Sequence, residues 1–263
     1  MSKSVLLIGV GWLGEQLVEK LSSEGLDIGI CSRSREKLSQ YKNSISKYLV
    51  QIDGKNFNLT SQDKECPPIK MYSHCLICLP PYPSLKEHIN DIIRQLNPNA
   101  TVIFCSSIGI YLPSQYINEQ SSLNNEHLLF EQEVSIKKTN HIILRLGGLV
   151  GPSRHPVFSL IKNKRKVYIN ETINLIHSKD ISSMVFELII QDIKNKVYNI
   201  VSPNHVRKVD YYNQAAEVLL GKSIESKEGG SKKIVDGQRI VDELKMSYQF
   251  SIDNWNSFSE NNN

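Results

Sequence analysis

Three closely spaced glycines near the start of the chain, Gly9, Gly11 and Gly14, form the pattern G-x-G-x-x-G. They follow the apolar run VLLIG and precede a stretch with helical periodicity, which predicts a turn between a buried strand and a helix. In such a turn the first glycine permits the tight bend, the second lets a phosphate approach the backbone, and the third lets the helix pack closely on the sheet. The helix N-terminus also offers N–H groups and partial positive charge to a pyrophosphate. The pattern predicts a dinucleotide site that includes Trp12 and Leu13; the alternative is a glycine-rich turn without a ligand.

The residues after the second predicted strand, LDIGICSRS, bear on which dinucleotide binds. A site for NAD usually has Asp or Glu here to bind the ribose hydroxyls, whereas a site for NADP has Arg near the 2′-phosphate. This chain has Ser32 and Arg33, with no acidic residue between them and Glu36. The sequence therefore favours NADP, with NAD as the second choice. The alternative is that Arg33 and Arg35 are solvated charges that open the next helix.

A proline-containing loop is expected to pass the cofactor. A predicted strand at residues 74–80 runs into Leu79, Pro80 and Pro81. Prolines lack an N–H donor and stiffen the chain. Because ligands of parallel sheets bind at the carboxyl ends of the strands, these three residues are predicted to line the cofactor site.

The elements that must position these residues alternate along the first 150 residues. Candidate strands lie at residues 5–9, 26–34, 48–53, 74–80, 100–106 and 141–147, and candidate helices at residues 12–24, 38–43, 84–96 and 124–138. Such alternation predicts an α/β fold with a Rossmann-like, doubly wound parallel sheet. The composition shifts after residue 150. We therefore expect an NAD(P)-binding domain at 1–150, a small C-terminal substrate lobe with sheet-completing strands at 151–258, and a disordered tail at 259–263.

Four later segments carry a family resemblance together with the glycine turn: SSIGIY (106–111), ILRLGGLVGPSRHP (143–156), NLIHSKDIS (174–182) and KVYNIVSP (196–203). In this order they resemble segments of the extended short-chain dehydrogenases/reductases, the nucleotide-sugar epimerase and dehydratase superfamily. The resemblance spans nearly the whole chain, and the compact length is similar to that of the atypical branch. It implies a nicotinamide cofactor, a C-terminal lobe that closes over the substrate, Ser106 beside the cofactor, and Ser107 on a substrate oxygen.

The chain departs from that family at the acid–base residue. In the superfamily a Tyr-x-x-x-Lys pair follows the serine, and its lysine lowers the pKa of the proton-transfer tyrosine. Residues 118–138 contain no tyrosine. Tyr111, four residues after the serine, is the leading candidate for proton transfer, and Tyr116, Glu119 and His127 are the others. The alternative for Tyr111 is a ring that packs at the strand end and forms a pocket wall.

Composition excludes several classes of protein. The chain has 263 residues and a net charge of +4, which is too weakly basic to indicate nucleic-acid binding. It has no run of about 20 apolar residues, as a membrane span would require, and a cytoplasmic protein is expected. Four of its five cysteines fall in apolar strand-like runs, which is typical of reduced core residues. Cys75 and Cys78 form a CxxC on a predicted strand, where positions three apart point to opposite faces, so neither a disulfide nor a metal site is expected.

Two features of the C-terminal third have a plain and a functional interpretation. Lys162, Lys164, Arg165 and Lys166 are predicted to be a solvated helix end; the alternative is a surface that faces an anionic substrate. His177 is predicted to brace its turn rather than bind a metal, because no group of His, Cys and Asp has ligand spacing.

Two functions of different class remain open. The first is an NADP-dependent oxidoreductase or epimerase that acts by hydride transfer on a small polar substrate, sugar-like or phosphorylated. The second is a non-catalytic NADP-binding sensor or partner-binding protein, which the missing Tyr-x-x-x-Lys pair makes credible. Ser107 and the substrate-lobe segments favour the enzyme. The sequence leaves the substrate, the reaction direction and the oligomeric state open, a homodimer included.

Overall fold

A computed structural model of the chain describes residues 3–54, 56–63, 65–138 and 140–258. The tail expected to be disordered, at 259–263, lies outside these residues.

The strands and helices alternate through most of the described chain. The strands are β1 (Ser4–Ile8), β2 (Asp27–Ser32), β3 (Ser46–Asp53), β4 (Asn56–Ser61), β5 (His74–Ile77), β6 (Thr101–Ser107), β7 (Tyr116–Ile117), β8 (His141–Leu146), β9 (Gly148–Val150), β10 (Val167–Tyr168), β11 (Leu175–His177), β12 (Lys196–Ile200), β13 (Ser226–Lys227) and β14 (Ile234–Val235). The helices are α1 (Trp12–Ser23), α2 (Arg35–Ser39), α3 (Leu85–Gln95), α4 (Asn125–Lys137), α5 (Pro156–Lys162), α6 (Ser178–Ile190), α7 (Lys208–Leu220) and α8 (Gln238–Leu244).

One large sheet contains eight of the described strands, in the order β12-β8-β6-β5-β1-β2-β3-β4. The central pairs β5–β1, β1–β2, β2–β3 and β5–β6 are parallel. The predicted α/β class with a mostly parallel sheet is therefore confirmed. The edge strand β4 pairs antiparallel with β3 and was not expected from the sequence. In this strand only Phe57 is buried, so it has no apolar run.

The first strand and helix form as their apolar patterns predict. Four residues of β1 are completely buried, as suits a parallel strand covered on both faces. On α1 the expected stripe of Leu13, Leu17 and Leu21 is buried. Each buried leucine contributes roughly 1.5–3 kcal/mol to folding. This burial holds the turn between β1 and α1 in a fixed place.

The second helix begins earlier than predicted. The sequence pattern predicts a helix at residues 38–43, whereas α2 covers Arg35–Ser39. Ser34 is the cause, since its side chain accepts a hydrogen bond of 3.1 Å from the backbone N–H of Lys37 and so caps the helix N-terminus. Arg35 therefore opens the helix, and Leu38 is its buried residue.

The chain divides into two compact units, each built from three separate segments. The first unit contains Met1–Ser106, Asn124–Leu144 and Val185–Val197, and the second contains Ser107–Leu123, Arg145–Met184 and Tyr198–Asn263. Each has its own apolar core: Leu6, Ile77, Ile89 and Phe104 belong to the first, and Val150, Tyr211, Ala215 and Phe258 to the second. The division at residue 150 expected from the sequence stays a prediction. Within the described residues, no helix combines the length and apolar character needed to cross a membrane.

Candidate functional site

The glycine turn of the first unit is fixed by two close backbone approaches. Gly9 has a φ of +101°, a conformation that favours glycine, and a Cβ at this position would lie 2.6 Å from the carbonyl oxygen of Cys78. A Cβ at Gly14 would lie 2.3 Å from the carbonyl oxygen of Gly9. Neither position has room for a side chain. The first and third glycines of the motif therefore allow the close packing expected of them.

Gly11, the middle glycine, has a different environment. A Cβ built on it would have no atom within 4 Å, so the space beside it is open. Gly11 is also the N-cap residue of α1 and, as a glycine, supplies no capping side chain. Leu13 is buried and Trp12 half-buried in the first turn. The turn thus offers open space beside the N-terminus of a helix, an arrangement that fits a phosphate group.

Ser32 and Arg33 follow β2, which pairs with β1. The Ser32 hydroxyl accepts a hydrogen bond of 3.1 Å from the N–H of Ser34, which fixes the bend after the strand. Arg33 is exposed. Burial raises the pKa of Tyr82 in the β5–α3 loop, and the charge of the Arg33 guanidinium opposes that shift.

The β5–α3 loop borders the glycine turn. A Cβ on Gly9 would lie 3.2 Å from Cδ2 of Leu79, and Leu79 is half-buried. Pro80 and Pro81 are exposed. Leu79 therefore forms a wall beside the turn, and the prolines continue from it towards solvent.

The residues that end β6 are engaged with neighbours in the first unit. The Ser106 hydroxyl donates a hydrogen bond of 2.6 Å to Oε1 of Glu131, a carboxylate that is 4% exposed. The Sγ atoms of Cys78 and Cys105 lie 3.3 Å apart, and this hydrogen bond, together with burial, raises the pKa of the Cys78 thiol. Cys75 is completely buried, and all five cysteines are free thiols.

A polar network in the second unit surrounds Tyr111. Its hydroxyl donates 2.6 Å to Oδ1 of Asn199 and accepts 2.9 Å from Nη1 of Arg145. The tyrosine is only 4% exposed. Burial raises its pKa, and the hydrogen bond and charge of Arg145 partly offset this shift. The hydroxyl proton is therefore held in an internal hydrogen bond. Both the proton-transfer role of Tyr111 and its role as a pocket wall stay predictions.

The other candidates for proton transfer have separate environments. The carboxylate of Glu119 accepts a hydrogen bond of 2.9 Å from the backbone N–H of Asn199, so it belongs to the same network as Tyr111. Tyr116 is 65% exposed. The side chain of His127 lies outside the described residues. Ser107 is exposed, and its hydroxyl oxygen accepts 3.1 Å from the N–H of Gly109.

A cavity of about 400 Å³ lies within the second unit. Its lining includes Tyr111, Gly148, Glu171, Lys208, Tyr212 and Lys233. Sequence reasoning found only Tyr111 among these. Lys208 forms an ion pair of 2.6 Å with Glu171, whereas Lys233 donates a hydrogen bond of 3.3 Å to the carbonyl oxygen of Ile108.

Other residues singled out in the sequence have structural roles. The basic cluster at residues 162–166 is exposed, and Lys166 forms an ion pair of 2.9 Å with Glu225. His177 accepts a hydrogen bond of 3.1 Å from the N–H of Lys179 and stacks on Phe250, which braces its turn as expected. In the part of the chain that the structure describes, no three His, Cys, Asp or Glu side chains are grouped as a metal site would require.

The predicted cofactor residues thus belong to the first unit: Ser106 lies in β6, and the others lie in the turn after β1 and the loops after β2 and β5. Ser107 and Tyr111 belong to the second unit. Sequence reasoning missed Arg145 and Asn199, although an arginine inside the apolar run HIILRL was a usable signal. A buried charge normally has partners, and those of Arg145 include the Tyr111 hydroxyl and the carbonyl oxygen of Glu119.

The fold has close relatives among solved structures. A functionally unknown conserved protein from Silicibacter pomeroyi superposes with a TM-score of 0.72 at 20% identity, over 97% of this chain and 95% of that one. The dTDP-glucose 4,6-dehydratase from Bacillus anthracis, in complex with NAD, gives a TM-score of 0.70 at 13% identity over 98% and 95%. A short-chain dehydrogenase/reductase superfamily protein from Agrobacterium tumefaciens with bound NAD gives 0.70 at 12% identity over 96% and 94%.

These superpositions confirm the resemblance inferred from the sequence motifs: the chain has the fold of the short-chain dehydrogenase/reductase superfamily and resembles its epimerase and dehydratase branch. Among curated proteins it is similar to Protein YeeZ of Escherichia coli (strain K12), with 27% identity over 271 aligned positions that cover 94% of this chain and 96% of the relative. No family model matches the chain.

Proposed function

We propose that the chain is a nicotinamide-dinucleotide-dependent oxidoreductase or epimerase of the atypical short-chain dehydrogenase/reductase type. The observation that carries this proposal is the environment of Gly11. Open space beside the backbone meets the N-terminus of α1 there, while Gly9 and Gly14 have no room for a side chain. A purely structural turn requires the two tight glycines and has no need of the open one.

The cofactor proposed is NADP, with NAD as the alternative. Arg33 is an exposed cation that follows β2, where the 2′-phosphate of NADP would be read, and an acidic residue for the ribose hydroxyls is missing from that position. Two of the structures with this fold, the dehydratase from Bacillus anthracis and the Agrobacterium protein, contain NAD. They support a nicotinamide dinucleotide as the cofactor. They do not distinguish NADP, which carries the 2′-phosphate, from NAD.

The chain's own residues would orient the substrate and transfer a proton. The nicotinamide ring, when bound, accepts or supplies a hydride. Ser107 is suited to orient a substrate oxygen: because its own oxygen accepts from the Gly109 N–H, its hydroxyl proton remains available to donate. Tyr111 is the proposed proton donor and acceptor, and it must exchange its hydrogen bond to Asn199 for one to the substrate.

The proposed substrate is a small polar molecule, sugar-like in its hydroxyl groups, converted in the cytoplasm. The relatives of this fold include an enzyme named for a dTDP-glucose substrate. The polar lining of the cavity in the second unit supports a substrate of this kind.

Titration with NADPH and NADH by calorimetry tests the proposal first, and a panel of carbonyl compounds and nucleotide sugars tests it second. We expect NADPH to bind with micromolar affinity and at least one substrate class to oxidise it. If neither dinucleotide bound, the proposed function would be wrong.

A second function is favoured by the state of Tyr111. Its proton is already engaged, and the helix that would hold the usual tyrosine has none. A non-catalytic NADP-binding sensor requires the dinucleotide site and no proton donor. Tight NADPH binding without turnover across the panel, together with NADPH-dependent association with another protein, would favour the sensor.

A further inference from the structure

The cavity of the second unit has an unbalanced positive charge. Three of its lining residues carry formal charges, one negative on Glu171 and two positive on Lys208 and Lys233. Glu171 and Lys208 neutralise each other in their 2.6 Å ion pair. No carboxylate among the described residues lies within ion-pair distance of Lys233. The second ammonium group is therefore left without a counter-charge.

The position of Lys233 is fixed by its backbone. Its carbonyl oxygen accepts hydrogen bonds from the side chains of Thr172 and Asn174, the latter at 2.7 Å, and its N–H donates 3.3 Å to Thr172. Asn174 also accepts 2.8 Å from the N–H of Val235. These contacts attach the segment before β14 to the cavity wall. They use only backbone atoms of Lys233, so the place of this residue in the fold does not depend on its ammonium group.

The ammonium group itself is half-buried and weakly bound. Its hydrogen bond to the carbonyl oxygen of Ile108 is long, at 3.3 Å. Burial lowers the pKa of Lys233, and repulsion from Lys208 adds to the effect. A buried or half-buried cation without an anion is costly, and proteins normally provide a partner for it. An anionic ligand would supply that partner.

Tyr212, another residue that lines the cavity, has a hydroxyl group that can still donate a hydrogen bond. Tyr212 is 6% exposed, and within the described part of the chain its hydroxyl has no hydrogen-bond partner. Burial raises its pKa, and the charge of Glu171 raises it further. The phenol therefore keeps its proton and is available as a donor.

We propose that this cavity binds the anionic group of the substrate, a carboxylate or a phosphate monoester, with the Lys233 ammonium as its ion-pair partner and the Tyr212 hydroxyl as a second donor. This inference rests on the proposed function, because it assigns the substrate class of the same protein. It goes further in naming the charge of the substrate and the two residues that select it.

The experiment measures binding of inorganic phosphate by ³¹P NMR and of acetate by ¹³C NMR, without dinucleotide. All proteins carry Gly11→Val, so that the glycine turn does not contribute a second phosphate site. The variants are Lys233→Gln, Lys233→Arg and Tyr212→Phe, with Lys232→Gln as the matched control because Lys232 is exposed. Circular dichroism and thermal melting verify that each variant is folded.

We expect Lys233→Gln to weaken anion binding at least about tenfold, as loss of a charge-assisted hydrogen bond should. Lys233→Arg should retain most of the affinity, Tyr212→Phe should lose a smaller part, and Lys232→Gln should match the parent. Tighter binding of phosphate than acetate assigns a phosphate monoester, and the reverse assigns a carboxylate. Absence of binding in the parent, or equal binding in the parent and Lys233→Gln, would overturn the anion site.

Failure of the anion site and failure of the proposed function are separate outcomes. NADPH is titrated into the chain with its natural Gly11, with and without Lys233→Gln. Phosphate binding through Lys233 without NADPH binding would keep the anion site and reject the proposed function. NADPH binding without anion binding would keep the proposed function and reject the anion site.

Discussion

The Tyr111 hydroxyl donates a hydrogen bond of 2.6 Å to Oδ1 of Asn199, a residue 88 positions further along the chain. Arg145 donates 2.9 Å to the same hydroxyl, and Asn199 also donates 3.0 Å to the carbonyl oxygen of Asp236. Tyr111 therefore joins segments of the second unit that are far apart in sequence. If Tyr111 transfers a proton in catalysis, it must do so while it also connects these segments.

Substitution of Ser107 and Tyr111 separates the two roles. Once a substrate is found, we expect Ser107→Ala to lower kcat on the order of 10²-fold, because one positioned donor to the substrate oxygen is lost. Tyr111→Phe should lower kcat by a similar factor and also the free energy of unfolding by about 1–3 kcal/mol, since a buried hydrogen-bond partner of Asn199 is removed. NADPH affinity should stay nearly constant in both.

Steady-state kinetics, NADPH titration and urea unfolding of the natural chain, Ser107→Ala and Tyr111→Phe check this prediction. A Tyr111→Phe protein that is destabilised but keeps full kcat would assign the tyrosine a structural role alone. Full activity in both variants would remove both residues from the mechanism.

Substitutions in the glycine turn should separate binding from folding. Gly11→Val places a side chain in open space, so the melting temperature should change little while dinucleotide affinity falls at least about 10²-fold. Gly14→Val places Cβ against the Gly9 carbonyl oxygen and should destabilise the whole first unit. Calorimetric titration and thermal melting of both variants provide the measurement, and normal NADPH binding by Gly11→Val would mean that the turn is only structural.

Charge reversal at Arg33 tests the choice of dinucleotide. If Arg33 contacts the 2′-phosphate, the natural chain should bind NADPH at least several-fold more tightly than NADH, and Arg33→Asp should abolish this preference. Arg35→Asp is the matched control, because Arg35 is an equally exposed arginine at the start of α2. Equal affinity of the natural chain for the two dinucleotides would show that Arg33 does not recognise the 2′-phosphate.

Buried histidines predict a loss of stability in mild acid. Burial lowers the pKa of His74, His155 and His177 to about 4 each, compared with about 6.5 in an unfolded chain. Below pH ~6.5 the unfolded state takes up protons that the folded state refuses, so stability falls as the pH drops, and the fall ends near pH 4. Each histidine contributes up to ~1.4 kcal/mol per pH unit within that window.

The clearest test is His155, which is enclosed by Tyr211, Trp255 and Phe258 and caps α5 by accepting 3.2 Å from the N–H of Val157. Asparagine keeps a capping side chain without a group that titrates in this range. Urea unfolding of His155→Asn at pH 7, 5.5 and 4.5 should show a smaller loss than the natural chain. An identical pH slope in the two proteins would contradict the prediction.

The elements around the glycine turn were predictable because each depends on a local pattern. The VLLIG run and the leucine stripe of α1 determine their own burial. The start of α2 was misplaced because the apolar pattern gives Leu38 but not the Ser34 cap, which depends on a single hydrogen bond. The strand β4 was missed because it is stabilised by pairing with β3, and the backbone of Phe57 by Asp91 on α3, contacts that no local periodicity encodes.

In the candidate site, too, some residues are predictable from a local pattern and others depend on distant contacts. Gly9, Gly11 and Gly14 form a contiguous motif with a known use in dinucleotide binding, so sequence reasoning could name them as candidates. Lys233 lies in the polar stretch SKEGGSKKIV, where lysines are usually solvated, and its exceptional position depends on Thr172 and Asn174, about 60 residues earlier in the chain. Nothing local distinguishes it from its exposed neighbour Lys232.

The interleaving of the two units determines how the chain can fold on the ribosome. The last segment of the first unit, Val185–Val197, is synthesised after two of the three segments of the second unit, 107–123 and 145–184. Translation therefore exposes incomplete portions of both units before either is whole, and long-range closure is slow. We expect a nascent chain released at residue 150, which lacks the Val185–Val197 segment of the first unit, to aggregate instead of forming a stable dinucleotide-binding fragment.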